Sequence, residues 1–304
     1  MRVVNHEVQE IVEVPDDFEE MLRHIEKVGR ICYQSQERIT EDSAEKFVKM
    51  LFRRGHWAML EHSWLVFTSY PLDWDQWKHL YELTDSNFLQ VLVDDNDERI
   101  PIICGNWRAW FEQIIGPAKD NKNNFELFKQ LPDIIKELFS AYDITLDRVH
   151  LNKVEDPYLY PKAYTATFLT DRAVTHEMVR HRPCAFAQKS QRFCADREYL
   201  EFIAPYYLDL TSDSSTGVYM WTCLMNRIEE DYHFALRNGQ TAQEARSMLP
   251  NCTATQIAMT ADIVEWEHVF DMRCASDAYP PIRKLMREVK ETFKHRGYIK
   301  DKQK

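Results

Sequence analysis

The sequence predicts an α/β protein, because segments with strand-like alternation are interleaved with segments of helical periodicity. Residues 162–169 and 253–260 alternate as strands do, and residues 261–273 carry an apolar stripe with helical spacing. The composition, 44% hydrophobic and 29% charged, is that of an ordinary globular protein. Because no long Gly/Ser-rich or Pro-rich linker interrupts the 304 residues, we expect one domain over residues 1–304.

The N-terminal region is expected to begin with a strand and two helices, followed by a second strand at the segment SWLVFTSYPL. The first fourteen residues alternate like a strand, and residues 16–33 form an amphipathic segment with acidic residues in its first turn, as the helix dipole favours. In the second helix, Asp42 and Glu45 have the spacing of a capping box, and Gly55 supplies the C-terminal stop.

Residues 73–160 are less regular, and we interpret them as a helical insertion within the domain. A tryptophan-rich helical stretch is followed by a polar run and then by a short strand at residues 100–105. Helices are expected at residues 106–115 and 131–142.

The C-terminal half shows clearer signals. After the strand at 162–169, Thr170 or Asp171 caps a helix that runs to about Arg180, and a polar loop follows. After a long helix, Thr241 and Glu244 form a capping box for a short helix that Pro250 terminates. The chain then continues as a strand and two helices.

Composition also restricts the class of protein. The formal charge of −11 argues against non-specific binding to polynucleotides or acidic membranes, which needs a broad positive surface. No apolar run approaches the roughly 20 residues that span a bilayer, and we expect no secretion signal. Seven cysteines without a CxxC pair suit a reducing compartment, so we expect a cytoplasmic protein.

One segment is basic in this otherwise acidic chain. Between Arg172 and Arg197 there are five arginines and one lysine, against the acids Glu177 and Asp196. Because guanidinium groups bind phosphate through two parallel hydrogen bonds, the segment is a candidate anion site. Composition alone leaves open that these residues only complement the C-terminal end of a helix.

The order of residues within that segment is more specific. Arg180, His181 and Arg182 are followed by seven positions, then by Ser190, and then by Arg192 and Phe193. This order resembles the signature of flavin-dependent thymidylate synthases. The resemblance implies a mixed sheet flanked by helices and a homotetramer whose four active sites are shared between subunits.

Further matches to this family lie in the same order along most of the chain. The segment GHWAMLEH resembles the family's Gly-His and Glu-His pairs at His56, Glu61 and His62. EARSMLP carries the family arginine at position 246, and MTADIVEWEHVFDMR carries the histidine at 268 and the arginine at 273. The segment IICGNWRAW also resembles a Gly-Asn-x-Arg-Ala stretch of longer members.

The resemblance implies a role for each matching position. The deoxyuridylate (dUMP) site would comprise Glu177, Arg180, Gln188, Lys189, Ser190, Gln191, Arg192, Arg246 and Arg273. The FAD site would comprise His56, Ala58, Arg180, His181, Arg182, Gln188, Asp262, Val264 and His268, with His56 and Arg246 reaching the site from other subunits. Three positions depart from the family pattern: Ala58 stands for a usual Ser or Thr, Asp262 for Asn and Val264 for Arg.

The implied reaction is the reductive methylation of dUMP to dTMP, with methylenetetrahydrofolate as carbon donor, FAD as hydride carrier and NADPH as reductant. Arg273 is the expected catalytic residue, because a fixed guanidinium favours deprotonation of uracil N3 and so raises electron density at C5. Ser190 is expected to bind phosphate, and no protein nucleophile is required.

Other interpretations remain open at the level of sequence. The same scaffold could act on UMP or dCMP, or release a hydroxymethyl product, and an RNA-binding module is a further alternative that the net charge disfavours. A metal site at His56, Glu61 and His62 lacks the spacing of known zinc motifs, so we expect no metal. No GxGxxG follows a strand, so NADPH would bind in a different way.

Overall fold

The computed structural model describes residues 1–86, 88–94, 96–117, 120–121, 123–154, 156, 158–211 and 216–300. Its strands are β1 (Arg2–Val4), β2 (Glu7–Glu13), β3 (Leu65–Ser69), β4 (Leu89–Val93), β5 (Pro101–Gly105), β6 (Leu146–Arg148), β7 (Ala163–Asp171), β8 (Ala185–Gln188), β9 (Glu201–Ile203) and β10 (Ala254–Asp262). Its helices are α1 (Phe18–Ile31), α2 (Ser43–Arg54), α3 (Trp74–Leu83), α4 (Trp107–Ile114), α5 (Phe125–Lys129), α6 (Leu131–Ser140), α7 (Arg172–Met178), α8 (Thr216–Arg237), α9 (Ala242–Ala245), α10 (Ile263–Arg273) and α11 (Pro280–His295).

Four antiparallel strands in the order β2–β7–β10–β8 form the sheet that we call the central sheet. β7 and β10 pair along their whole length, from Ala254 opposite Asp171 to Asp262 opposite Ala163. Alternate side chains of these strands pack against α7, α10 and α11. On the other face, Ala258 packs against α1. The central sheet is therefore covered on both faces.

A second antiparallel sheet, the insertion sheet, has the order β4–β5–β3–β6. It packs on α2, α4 and α6 through aromatic side chains that include Phe52, Phe67, Trp110 and Phe139. The insertion predicted at 73–160 is thus not only helical, because it supplies β4, β5 and β6 to β3. Gly105 lies at a close approach between strands: a Cβ there would come within 2.6 Å of Leu89 Cδ2.

The α/β class is confirmed, whereas the sheet differs in detail from the expected mixed sheet. Both four-stranded sheets are antiparallel, and within the described residues parallel pairing joins only β1 and β9. The polar loop expected after α7 contains a strand, since Ala185 to Gln188 pair with β10. The antiparallel direction of the sheets and the existence of β8 both depend on pairing between strands that are distant in the sequence. Local sequence does not reveal that pairing.

Most predicted helix boundaries are confirmed by hydrogen bonds. Asp171 accepts from Val174 N, and Thr241 and Glu244 form the expected capping box. Gly55 ends α2 with a φ of 72°. The capping box at Asp42 is wrong, because its side chain makes no cap hydrogen bond.

Among the described residues, none of the helices combines the length and the apolar character needed to cross a bilayer.

Candidate functional site

The Arg180–Arg192 segment connects α7 to the edge of the central sheet. The helix places Glu177 and the following residues 180–182 at its C-terminal end, and β8 then runs beside β10 as far as Gln188. Gln188 Nε2 donates to Thr175 Oγ1 at 2.9 Å. Ser190 N donates to the carbonyl of Cys32 at the end of α1. The backbone of the segment is therefore fixed by α1, α7 and β10.

Three arginines gather on one side of this segment. Arg172, the first residue of α7, donates from Nη2 to the carbonyl oxygen of Lys189 at 3.1 Å, and its Nε is buried without a hydrogen-bond partner within the described residues. Burial, and then the nearby charge of Arg246, lower the pKa of Arg172. Arg192 Nε donates to Gln243 Oε1 at 3.0 Å. Gln243 lies in α9, the short helix that Arg246 directly follows. We call Arg172, Arg192 and Arg246 the arginine cluster.

The arginine cluster adds to the expectations from the sequence. The charge of Arg246 acts on Arg172 of its own chain, and the expected contact of Arg246 with the site of another subunit stays a prediction. Arg172 was absent from the expected dUMP contacts, although it begins the same basic run and could have been included on that ground. Its Nε is a buried donor without a partner, which favours an anionic ligand.

The other polar residues of the segment differ in how far their side chains are open to a ligand. Lys189 Nζ forms an ion pair with Asp196 at 2.6 Å, so its charge is largely compensated. The side chains of Arg180 and Arg182 are exposed, and Gln191 is half-buried. The two exposed guanidinium groups are therefore open to a ligand from solvent.

Arg273, the last residue of α10, is held by three acceptors. Its Nη1 donates to Glu177 Oε2 at 2.6 Å and its Nη2 to the carbonyl of Glu177 at 3.1 Å. Its Nε donates to His181 Nε2 at 2.8 Å, which requires a neutral imidazole with its proton on Nδ1. Burial, and then the charges of Arg273 and His268, lower the pKa of His181 to about 4. Arg273, Glu177 and His181 therefore form one hydrogen-bonded unit, predicted individually but not as a group.

Two histidines of the expected flavin site, together with Glu265, have the donor types of a metal site. Potential ligand atoms of His181, Glu265 and His268 lie within 4.8 Å of one another. However, the Nε2 lone pair of His181 already accepts the hydrogen bond from Arg273. Burial raises the pKa of Glu265, which also weakens its competence as an anionic ligand. A cation there would have to displace Arg273.

His56 lies near the signature segment in an aromatic environment. Its Nδ1 is 2.7 Å from the hydroxyl of Tyr33, and the rings of Tyr33 and Phe193 are 5.8 Å apart. Ala58 follows on an exposed turn of 3-10 helix. Nothing in the sequence pointed to Tyr33, because its relation to His56 and Phe193 is created by the tertiary fold.

Asp262 and Val264 begin α10. Asp262 is buried, and its carboxylate accepts from the backbone N–H groups of Val264 and Glu265 and from Gln90 Nε2 of the insertion sheet, the last at 2.8 Å. Val264 is 51% exposed. Asp262 therefore fixes the start of α10, and Val264 offers an apolar surface without hydrogen-bonding groups.

The Gly-His and Glu-His residues face different partners. Glu61 accepts from Arg108 Nη1 at 2.6 Å. His62 is buried, with its Nδ1 2.7 Å from Thr260 Oγ1, and Thr260 is bonded to Thr165, which in turn meets His24. Since His56 contacts Tyr33 instead, the structure does not bring His56, Glu61 and His62 to one common centre.

The fold and this geometry define an α/β protein whose central sheet and α7 hold both a cluster of arginines and a partly buried Arg-Glu-His unit. Comparison with known proteins shows which family the second half of the chain resembles. Residues 162–296 match the family model described as thymidylate synthase complementing protein.

The curated relatives that this chain resembles agree with the match to this family model. The flavin-dependent thymidylate synthase of Corynebacterium diphtheriae is 34% identical over 138 residues, which are 41% of this chain and 54% of that protein. The corresponding protein of Mycolicibacterium gilvum is 34% identical over 128 residues, 38% of this chain and 50% of its own. The chain spans about half the length of the curated relatives it matches. Over residues 162–296 the chain is therefore similar to flavin-dependent thymidylate synthases.

Among solved structures, a UMP/dUMP methylase from Streptomyces cacaoi bound with 5-Br dUMP aligns with a TM-score of 0.38 and 17% identity, covering 44% of this chain and 66% of that one.

Proposed function

We propose that the protein is a flavin-dependent thymidylate synthase that converts dUMP to dTMP with methylenetetrahydrofolate as carbon donor and NADPH as reductant. The observation that carries the proposal is the arginine cluster. Burial, and then the charge of Arg246, lower the pKa of Arg172, and Arg172 Nε is buried without a partner within the described residues. The like charges of Arg172 and Arg246 repel each other, and a bound anion such as a nucleotide phosphate would relieve that repulsion.

Arg273 is proposed to activate the pyrimidine. A guanidinium group has five N–H donors, and Arg273 uses three of them on Glu177 and His181. One N–H on each terminal nitrogen remains, and such a parallel pair fits the O2 and N3 positions of a uracil ring. Because the three existing bonds fix the orientation of the side chain, its two remaining N–H groups need no further reorganisation to donate to an N3 anion.

The residues present fit a flavin dinucleotide along the signature segment. Arg180 and Arg182 present exposed guanidinium groups for a diphosphate. His56 is hydrogen-bonded to Tyr33, and the ring of His268 lies 6.1 Å from the ring of His181 in the segment. When bound, FAD would supply the hydride that reduces the transferred carbon unit, and NADPH would reduce it again. The contact of Asp262 with FAD stays a prediction, and its carboxylate also accepts hydrogen bonds from three donors of the protein.

A homotetramer remains part of the proposal, and α8 supports it. This helix presents Met220, Leu224 and Phe234, which are 55% exposed or more, on one side. Exposed apolar side chains with helical spacing suit a helix that packs against another subunit. Leu224→Asp is expected to lower the sedimentation coefficient, and a native monomer with full activity would contradict shared active sites.

A cytoplasmic location is also retained as a proposal. It is supported by the cysteines, which are all free thiols.

The function is tested by tritium release from 5-tritiated dUMP in the presence of FAD, NADPH and methylenetetrahydrofolate. We expect release by the native chain and a loss of at least about a hundredfold in Arg273→Ala, a size typical of removing one electrostatic catalyst. Arg99→Ala is the matched control, because Arg99 is exposed and paired with Asp97 in the insertion. No release by the native chain would overturn the function.

Parallel assays with 5-tritiated UMP and dCMP identify the nucleotide. Release only from UMP or dCMP would retain the scaffold and change the substrate. If Arg273→Ala released tritium at the native rate, the proposed role of Arg273 would be wrong.

A further inference from the structure

A pocket with a volume of about 80 Å³ lies between α1 and the strands β2, β7 and β10 of the central sheet, and we call it the α1 pocket. Its apolar walls are the side chains of Val12, Val28 and Ile31. None of its lining residues is among the expected nucleotide or flavin contacts. The α1 pocket is therefore distinct from the candidate site described above.

A threonine in the α1 pocket has a buried hydroxyl group without a partner. Thr167 lines the pocket and is 8% exposed, and its hydroxyl makes no hydrogen bond within the described residues. The hydroxyl of Thr165 on the same strand, by contrast, meets those of Thr260 and the ring of His24. Because an unpaired buried hydroxyl is unfavourable, Thr167 favours an occupant that hydrogen-bonds to it.

His24 offers a second unpaired atom to the same pocket. Its side chain is 7% exposed and its Nε2 lies 2.9 Å from Thr165 Oγ1, whereas Nδ1 has no hydrogen-bond partner in the described part of the chain. Burial, and then the charge of Lys27, lower the pKa of His24 to about 4, so the ring is neutral at pH 7. Nδ1 is therefore available as an uncharged donor or acceptor, depending on the tautomer.

The remaining polar groups of the α1 pocket add no net charge. Lys27 Nζ donates to Glu10 Oε1 at 2.5 Å, so these two charges compensate each other. Gln36 Nε2 donates to Gln256 Oε1 at 3.1 Å, which leaves the second N–H and the oxygen of the Gln36 amide for a ligand. The pocket thus combines apolar walls with an uncharged set of hydroxyl, imidazole and amide groups.

The α1 pocket adjoins the supports of the signature segment. Lys189 N donates to the carbonyl of Gln256 at 2.9 Å, and Ser190 N donates at 3.0 Å to the carbonyl of Cys32, which follows Ile31. An occupant of the pocket would contact Gln256 and Ile31 without touching the signature segment itself. The pocket is therefore separate from the nucleotide site, although backbone hydrogen bonds link the two.

We propose that the α1 pocket binds a single uncharged pyrimidine base, at a site separate from the one that the reaction uses. The edge of such a base alternates carbonyl oxygens with an N–H group, and the side chains of Thr167, His24 and Gln36 can each supply a donor or an acceptor to it. The apolar faces of the ring would pack against Val28 and Ile31. This inference goes beyond the proposed function and does not depend on it.

Size and charge exclude other classes of small ligand. A cavity of about 150 Å³ holds one benzene ring, so an open pocket of about 80 Å³ takes the inner part of one ring and not a fused ring system. Because Lys27 is paired with Glu10 and His24 is neutral, an inorganic ion would be buried there without a compensating charge. A purely apolar ring would leave the Thr167 hydroxyl unpaired.

The proposal is tested by titrating uracil into the native chain, with saturation-transfer NMR as the readout. We expect saturable binding of uracil, and weaker binding of adenine, which has a fused ring, and of benzene, which has no polar edge. Thr167→Val and Gln36→Leu each remove hydrogen-bonding groups and nearly keep the size of the side chain. Each is expected to raise the dissociation constant of uracil about tenfold, the size of one lost hydrogen bond, and to leave that of dUMP unchanged.

Thr292→Val and Gln113→Leu are matched controls, because both positions are half-buried on helices outside the α1 pocket. Arg273→Ala alters the candidate nucleotide site and is expected to retain uracil binding in the α1 pocket. The inference is overturned if uracil does not bind the native chain, or if both pocket variants bind it as the controls do. A crystal grown with saturating uracil that shows only ordered water in the pocket would also overturn it. These titrations do not require turnover, so the tritium assay can fail or succeed independently of them.

Discussion

The two buried histidines of the His24–Thr165–Thr260–His62 chain predict that the protein loses stability steeply below neutral pH. His24 Nε2 lies 2.9 Å from Thr165 Oγ1, and His62 Nδ1 lies 2.7 Å from Thr260 Oγ1, with the two threonine hydroxyls 2.6 Å apart. Burial, and then the charge of Lys27, lower the pKa of His24 to about 4. Burial, and then His24, lower the pKa of His62 to about 3.

The size of the effect follows from these values. Both histidines have an unfolded pKa of 6.5, so the unfolded chain binds their protons first as the pH falls, and the folded chain does not bind them until about pH 4. Stability is therefore fully present above pH 6.5 and is lost between 6.5 and the folded pKa values. At about 1.4 kcal/mol per pH unit, each histidine removes roughly 2 kcal/mol of unfolding free energy between pH 6.5 and 5.0.

The assay is urea unfolding at pH 7.5 and pH 5.0, at one fixed protein concentration, for the native chain and for His62→Gln. Glutamine does not titrate, so the loss of stability between the two pH values is expected to be about 2 kcal/mol smaller in His62→Gln, whatever the variant costs at neutral pH. His295→Gln, at an exposed position, is the control. Equal pH dependence in the native chain and His62→Gln would refute the assignment of a buried, neutral His62.

Three further outcomes are expected. Glu177→Gln removes the carboxylate that orients Arg273, so kcat for tritium release is expected to fall about tenfold or more while the dUMP KM changes less, and an unchanged kcat would contradict the Arg-Glu-His unit. Arg172→Gln is expected to raise the dissociation constant of dUMP by roughly tenfold or more, because a charge-assisted hydrogen bond to the phosphate is lost. The variant is expected to bind deoxyuridine, which has no phosphate, as the native chain does. Equal weakening of both ligands would argue against a phosphate contact. Gly55→Ala places a side chain at a φ of 72° and is expected to cost about 1 kcal/mol in denaturant unfolding, and no loss would mean that the turn relaxes.

Features that depend on neighbouring residues were predictable from the sequence. The caps at Asp171 and Thr241 and the left-handed stop at Gly55 each need only a few adjacent positions, and all three are confirmed. The failed cap at Asp42 has a tertiary reason: the adjacent Ser43 bonds to Glu26 of α1 and accepts from Thr40 N, and so satisfies this end of α2 differently. The local sequence pattern correctly predicted the helix α2, but it predicted a cap hydrogen bond at Asp42 that the structure does not contain.

Features that join distant parts of the chain were not predictable in this way. β8 has only four residues, and its strand geometry exists because β10 lies beside it. Likewise, the sequence identified Arg246 as a site residue but could not place it beside Arg172, and it gave no signal that Glu61 would pair with Arg108 of the insertion. The sequence showed which residue types could take part in the chemistry, whereas tertiary packing determines which of these residues contact each other.

Asp262, whose contact with FAD stays a prediction, also has a positioning role in the fold. Its carboxylate accepts three hydrogen bonds and is 2% exposed. Two of these bonds fix the first turn of α10, and the third ties that turn to the insertion sheet through Gln90. Since a helix of 11 residues is a rigid rod of about 16 Å, fixing its start also fixes Arg273 at its end. We therefore expect changes at Gln90 in the insertion to alter the position of Arg273 through α10, without contact between an insertion residue and the nucleotide.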